Sequence, residues 1–384
     1  MGTTPPVDAA WLARNLGMAP AGPDAVAAAG PGEAPTAAEE RARMLDLIEF
    51  DSEGPAGQAF LAAASLAHGL SKFVDIPWPA GLAPIAGPTP TGSKLPRADV
   101  LIVTWTVDEG HALSRVLTPG FDSRDDWAPY TRNFATIAAR MRKGCPALNA
   151  GHLGTYWTAT IGARKVTLFK SDSHMSQDGP KLANADVWRQ IIDDVRPRWV
   201  ITTGTGGGIG TTEEVGDVIV SPFVTFSCRR TFKRFDGDTF MSPTAAPTDR
   251  FNKAEQLFAQ NAGFLPKDNT RPPAVIFSTS SQTGILTTDY FGFDNSTDTF
   301  GLQGNGALSE MGDAVLGMVC KQRPKTAPAY VIVRNVSDPQ IAAGALTIRE
   351  QAKIAGDIYK GFGRWSSVCS AIVCWAIVAG LPQG

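Results

Sequence analysis

The stretch VITTGTGGGIG, residues 200–210, followed by EVGDVIVS at 214–221, decides how this chain is read. Val200 to Thr203 form a compact apolar and β-branched run, the composition of a strand buried on both faces. Glycines directly after such a strand let a ligand approach the backbone, and their N–H groups can form a nest for an anion or a hydroxyl. The segment is not a Walker loop, because no GK[ST] follows. Nor does it make a dinucleotide fingerprint, since EVGDVIV stands where a long helix should start. Taken alone it reads equally well as a tight turn.

Outward from this point the same strand character recurs. ADVLIVTWT (98–106), WTATIG (157–162), KVTLFKS (165–171), DVIVSPFVTF (217–226), AVIFSTSS (274–281) and AYVIVRNVS (329–337) read as strands. Helical patterns lie between them, at 125–143, at 186–194 and near 309–320, and a long one runs from Thr347 to the C-terminus. Strands alternating with helices predict an α/β sandwich on a largely parallel central sheet. The segment DYFGFDNSTDTFGLQGNG (289–306) is polar, aromatic and glycine-rich, and its length predicts a functional loop. Residues 1–95 differ in kind. They are rich in Ala, Pro and Gly, with helical patterns at 37–50 and 57–70 and a Pro/Gly linker from Trp78 to Ala98. The division expected is an N-terminal extension over 1–95 and one α/β domain over 96–384.

Bulk composition narrows the function. A formal net charge of −2 offers no basic field for nucleic acid, and 43% hydrophobic residues suit a globular protein. Five cysteines (Cys145, Cys228, Cys320, Cys369 and Cys374) are odd in number and scattered, with no CxxC pair. They predict reduced thiols in a cytoplasmic protein, neither a disulfide frame nor a metal site. The N-terminal MGTTPPVDAAWLARN shows no secretory signal pattern. The apolar run from Ser366 to Leu381 is shorter than the ~20 residues of a membrane span. It predicts a buried terminal helix and no membrane partner.

Four segments together resemble a known family. TGTGGGI with VGDVIVS (203–209 and 215–221) is similar to the signature of the purine nucleoside phosphorylase and methylthioadenosine nucleosidase superfamily. VTWTVDEGHAL (103–113) resembles its first strand and turn, SEMGDAVLGMVC (309–320) the start of its ribose-contacting helix, and VIVRNVSD (331–338) its strand ending in Arg-x-x-Ser-Asp. The segments stand in family order and cover roughly residues 98–384. The resemblance implies a three-layer α/β sandwich with a mixed, largely parallel central sheet. It further implies hydrolysis of the N-glycosidic bond of a purine nucleoside or nucleoside derivative, with release of free base and no cofactor or metal. The implied assembly is a homo-oligomer, with a dimer favoured.

Site residues follow position by position. Asp338, at the C-terminal end of a strand where α/β sheets bind ligands, would protonate or hydrogen-bond purine N7; its alternative is a turn cap before Pro339. Glu109 would be the base acting on water, or else an ordinary acid at a strand-to-helix turn. Arg334 would hold that water or a ribose oxygen. An unpaired guanidinium inside an apolar strand is expensive, so it needs an acidic partner, for which Glu109 is the obvious choice. Thr205, Gly206, Gly207 and Ser337 complete the polar side of the substrate site. Phe291, with Tyr290 as runner-up, would stack on the base, and Glu310 and Met311 would face the ribose.

One departure stands out. The family helix reads Glu-Met-Glu, and its second glutamate grips the 2′- and 3′-hydroxyls, whereas this chain has Gly312 there, flanked by Glu310 and Asp313. Either a neighbour substitutes, or the sugar differs, or catalysis is lost. Two alternatives therefore stand beside hydrolysis: phosphorolysis, disfavoured by the charge of Glu109, and a non-catalytic nucleoside- or nucleotide-binding module. His68, His111 and His152 show no metal spacing, His174 reads as a loop histidine, and the basic run RRTFKR (229–234) reads as a solvated face.

Overall fold

In the computed structural model of the chain the residues described are 4–16, 75–143, 145–173, 175, 181–258 and 262–382. The helical patterns at 37–50 and 57–70, together with His68 and His174, lie outside them. In chain order the strands are β1 Ile85–Ala86, β2 Val100–Thr104, β3 Ala128–Pro129, β4 Gly154–Ile161, β5 Arg164–Ser171, β6 Trp199–Gly208 and β7 Val218–Ser221. They continue with β8 Phe223–Ser227, β9 Thr239–Met241, β10 Val275–Phe277, β11 Ile285–Thr288, β12 Leu308–Glu310 and β13 Ala329–Asp338. The helices are α1 Ala9–Leu16, α2 Val107–Leu117, α3 Phe134–Ala138, α4 Pro146–Ala150, α5 Ala183–Val195, α6 Phe251–Phe258, α7 Ala314–Lys321 and α8 Ile348–Gly380.

The architecture is a three-layer α/β sandwich on a mixed, largely parallel sheet. Central strands β2, β6 and β13 run parallel and are fully covered, so alternate side chains feed two cores. Val100, Ile102, Val331 and Val333 join α2, α6 and α8 on one face; Leu101, Val103, Tyr330 and Ile332 join α5 and α7 on the other.

The feature that positions the site is a fork at β6. One edge of β6 pairs with β13 along nearly its whole length, from Trp199 to Gly207. The other edge is shared: β2 takes Trp199–Thr202, and β12 takes Gly207 and Gly208. Between them Thr203–Gly206 have no strand neighbour on that edge.

Several sequence expectations are corrected. The glycines lie inside β6, not after it, because neighbouring groups come too close for side chains: a Cβ on Gly206 would stand 2.1 Å from Leu308 Cδ2. The pattern at 125–143 yields only α3 and the short β3. Ser309 and Glu310 are strand, and α7 begins at Ala314. DVIVSPFVTF breaks at Pro222 into β7 and β8, as a ring without an N–H requires.

The terminal apolar run is the distal part of a 33-residue helix opened by a capping box from Thr347 and Glu350. By length and composition α8 could cross a membrane, yet 89% of its apolar window is buried inside the fold. Its polar groups are matched there, Ser366 and Ser370 bonding the Asn335 side chain at 2.7 and 2.8 Å.

The described parts of residues 1–95 pack on the sandwich. Val7 exchanges backbone hydrogen bonds with Gln340 and Ala342, Trp11 meets Phe362 edge-on, and Leu95 is buried in a core.

Candidate active site

Glu109 fills the gap in the β6 edge. It is the third residue of α2, where its carboxylate closes a capping box with Thr106. Oε2 accepts from Thr104 Oγ1 (3.0 Å), Trp105 N (3.1 Å) and Thr106 N (2.9 Å), and Oε1 accepts from Thr205 N and Oγ1, both at 2.8 Å. The freed N–H of Thr205 is thus paired by a side chain where strand pairing lapses. Gly204 makes room: its φ is +152°, and a Cβ there would stand 2.5 Å from the Glu109 carboxyl carbon and 2.7 Å from Arg334 Nη1. Burial pushes the Glu109 carboxyl up, but the Arg334 charge and the hydrogen bonds from Thr205 and Thr106 outweigh it, and the net direction is downward.

Arg334 does have acidic partners, and the main one is not Glu109. Asp313 binds it bidentately, through Nε and Nη2 at 2.8 Å each. Glu310 Oε2 lies 3.3 Å from Nη2, and Glu109 Oε1 only comes to 3.9 Å from Nη1. The guanidinium plane lies over the Trp105 ring, 4.7 Å from its centroid. Asp313 wins because the turn into α7 brings its carboxylate onto the fork of the guanidinium, whereas five donors already hold Glu109.

Glu310 is equally committed. Its oxygens accept from Thr287 Oγ1, from Gly312 N (2.6 Å), from Asp313 N (2.9 and 3.0 Å) and from Arg334. Burial, then the charge of Asp313, hold this carboxyl above the ordinary range. Three carboxylates share one guanidinium, so a proton retained on Glu310 reduces the excess negative charge.

Asp338 sits further along the same strand pair. It faces Gly207 across a register shift in β13, and a Cβ on Gly207 would be 3.0 Å from its Oδ2. Ser337 Oγ donates to its Oδ1 at 2.6 Å, and among the described residues no donor reaches Oδ2. Burial raises this carboxyl to about 7, opposed only by the Ser337 hydroxyl. Ser309 Oγ and the Gly292 carbonyl, bonded to each other at 2.5 Å, also border Gly207. The backbone next to Phe291 therefore lies beside Asp338.

β6 thus collects Glu109 and Arg334 at Gly204–Thr205 and Asp338 at Gly207, about 10 Å of extended chain or less. Thr205, Phe291 and Met311 are half-buried, the more accessible rim of this set of residues, while Glu109, Glu310, Asp313, Arg334 and Asp338 are buried. Ser337 also donates to the Gly206 carbonyl. Tyr290 is fully buried, its ring against Phe300 at 5.4 Å, which removes it from the rim. The crevice behind Glu109, lined by Thr104, Thr203, Ser367 and Ser370 among others, has no room for a water molecule and so none for a nucleoside.

Sequence reading missed Trp105, Thr287, Ser309 and the bidentate role of Asp313. Trp105 carried a signal, a large aromatic immediately after a buried strand end. The basic run 229–234 wraps Asp289, which accepts backbone N–H groups of Arg229, Arg230 and Phe232. The 289–306 loop is tied down by Asp294, whose Oδ2 accepts from Gly210 N and Gln340 Nε2 at 2.8 Å each.

No protein-family model and no curated protein matches the chain. Solved structures similar to it include the 5′-methylthioadenosine/S-adenosylhomocysteine nucleosidase of Neisseria meningitidis, at 16% identity and a TM-score of 0.43 over 74% of this chain and 100% of that one. The S-adenosylhomocysteine nucleosidase of Streptococcus pyogenes is similar at 16% identity and a TM-score of 0.45, over 75% and 98% of the two chains. The futalosine hydrolase of Helicobacter pylori is similar at 12% and 0.45, over 73% and 97%.

Proposed function

We propose that this chain hydrolyses the N-glycosidic bond of a purine nucleoside or nucleoside derivative and releases the free base. The observation that carries the reading is Asp338, a buried carboxyl at the C-terminal edge of the sheet, poised at about 7 with one oxygen free. Such a group holds a proton near neutral pH and can give it to a leaving nitrogen, which general acid catalysis rewards with ~10²–10⁴-fold in rate. Phe291 on the rim supplies the face for the base, and Thr205 supplies a hydroxyl at the sugar end.

Glu109 enters this scheme differently from a free base. A carboxylate offers about four lone-pair sites, and five donors occupy them, so it activates water only by way of the Thr205 hydroxyl that it already accepts from. Its charge opposes phosphate, and Arg334, the cation beside it, is bound to Asp313. Water is the nucleophile this arrangement favours. The same saturation favours a second reading, a nucleoside-binding module without turnover. We propose further a cytoplasmic homo-oligomer, most simply a dimer, with residues 1–95 as an extension of a 96–384 catalytic domain.

A panel of purine nucleosides, with and without phosphate, assayed for free base separates the readings. Base release independent of phosphate supports hydrolysis. Phosphate-dependent release supports phosphorolysis, and binding without release supports the module. Asp338→Asn should lose most base release while still binding nucleoside, because an amide cannot supply the proton.

A further inference from the structure

We propose that the Trp105 indole N–H and the bare backbone of Gly312 form a sugar subsite that donates a hydrogen bond, and so takes a nucleoside whose sugar presents an oxygen acceptor there, including an O-alkylated one. The inference rests on the nucleosidase reading above and specifies its substrate class.

Trp105 is 4% exposed, and its Nε1 is buried without a hydrogen-bond partner among the described residues. An orphaned buried donor costs ~1–3 kcal/mol, so its retention calls for an explanation. The ring itself is fixed, with Arg334 over its face and Trp188 edge-on at 6.0 Å. The edge that carries Nε1 is turned to Gly312: a Cβ at that position would lie 3.6 Å from Cζ2 and 3.7 Å from Cε2, the carbon bonded to Nε1. If Asp338 and Phe291 hold the base at the Gly207 end of β6, the Gly204 end, where Trp105 lies, is left for the sugar.

No carboxylate is available there to accept from a sugar hydroxyl. Asp313 is wholly buried with each oxygen on Arg334, so the lone pair each oxygen keeps faces no surface, and both oxygens of Glu310 accept from backbone or side-chain donors. Neither neighbour can take over at position 312 without leaving Arg334 or the turn into α7 unsatisfied. The polarity of the subsite is therefore inverted: it gives a proton and asks for a lone pair. The acidic groups behind it exclude a phosphate at this point, which leaves a neutral oxygen, either a hydroxyl used as an acceptor or an ether. The absent side chain leaves room for a small substituent on that oxygen.

The test compares adenosine and inosine with their 2′-deoxy, 3′-deoxy, 2′-O-methyl and 3′-O-methyl forms, by binding and by base release, on the full chain and on Trp105→Phe, which keeps the ring over Arg334. The parent is expected to bind one O-methyl series about as well as the free hydroxyl. Trp105→Phe should weaken the oxygen-bearing ligands by about 2- to 12-fold, the range of one neutral hydrogen bond. It should leave binding of the corresponding deoxy ligand unchanged. Gly312→Glu should reverse the preference toward the free hydroxyl. Equal weakening of deoxy and oxygen-bearing ligands, or rejection of both O-methyl series by the parent, would overturn the subsite while leaving hydrolysis intact. A parent that neither binds nor cleaves any member overturns the nucleosidase reading, and this inference with it.

Discussion

Asp313 holds Arg334 with both carboxylate oxygens at 2.8 Å, inside a cluster that also contains Glu109 and Glu310. Removing one side of such a buried pair typically costs ~3–5 kcal/mol, because the other side is left charged and unpaired. Asp313→Asn is expected to lower the unfolding free energy, read from urea titration, by that much. Arg334→Met should cost more, since it leaves the Asp313 carboxylate without its partner and removes the positive charge beside Glu109 and Glu310. A change below ~1 kcal/mol for Arg334→Met, within the range of an exposed pair, would show that the cluster does not carry the fold.

Asp338 links stability to pH. Its carboxyl is raised from 3.8 to about 7 in the folded chain, so between those values the folded state binds more protons than the unfolded one. Stability from this group is complete below about pH 4, falls as pH rises toward 7 and is lost above, amounting to at most ~4 kcal/mol. Asp338→Asn removes that slope, so the stability difference between variant and parent should shift in favour of the variant from pH 5 to pH 8. Base release by the parent should decline as pH rises through about 7. A parent and variant with parallel stability curves would rule out a raised Asp338.

Gly204 is the position where a side chain is least tolerable. Its φ is +152°, and an added Cβ meets the Glu109 carboxyl and Arg334 Nη1 within 2.7 Å. Gly204→Ala should destabilise by about 1–3 kcal/mol through overpacking, with further cost from the backbone, and should disturb base release. Thermal unfolding checks the first and the nucleoside assay the second.

Glu109 combines a capping role with a place in the site, and the two are separable in measurement. Glu109→Gln turns an NH₂ group toward N–H and O–H donors at Thr205 or at Thr104–Thr106, leaving buried donors unpaired at ~1–3 kcal/mol each. Melting temperature and base release should therefore fall together. Unchanged melting with lost turnover would make Glu109 a base alone.

Much of this was legible in the chain. Val100–Thr104 and Ala329–Asp338 announce buried parallel strands by unbroken apolar, β-branched runs, and their alternate residues enter opposite cores. The ordered motifs also brought Glu109, Thr205, Arg334 and Asp338 to one strand pair. The 309–320 segment was misread as helix throughout, because apolar runs of that length do not distinguish a buried strand end from a helix start.

Sequence by itself determined the layered α/β class, the need of Arg334 for an acidic partner and the absence of a side chain at 312. These follow from local composition and from the cost of burying charge, which any compact arrangement must meet. Only the tertiary structure decided which acid pairs with Arg334, that Glu310 and Asp313 are buried on their own partners, and that the Trp105 indole N–H has no partner among the described residues. Those outcomes depend on the fork at β6 and on the turn after β12, where residues distant in sequence come within 3 Å and compete for the same hydrogen bonds.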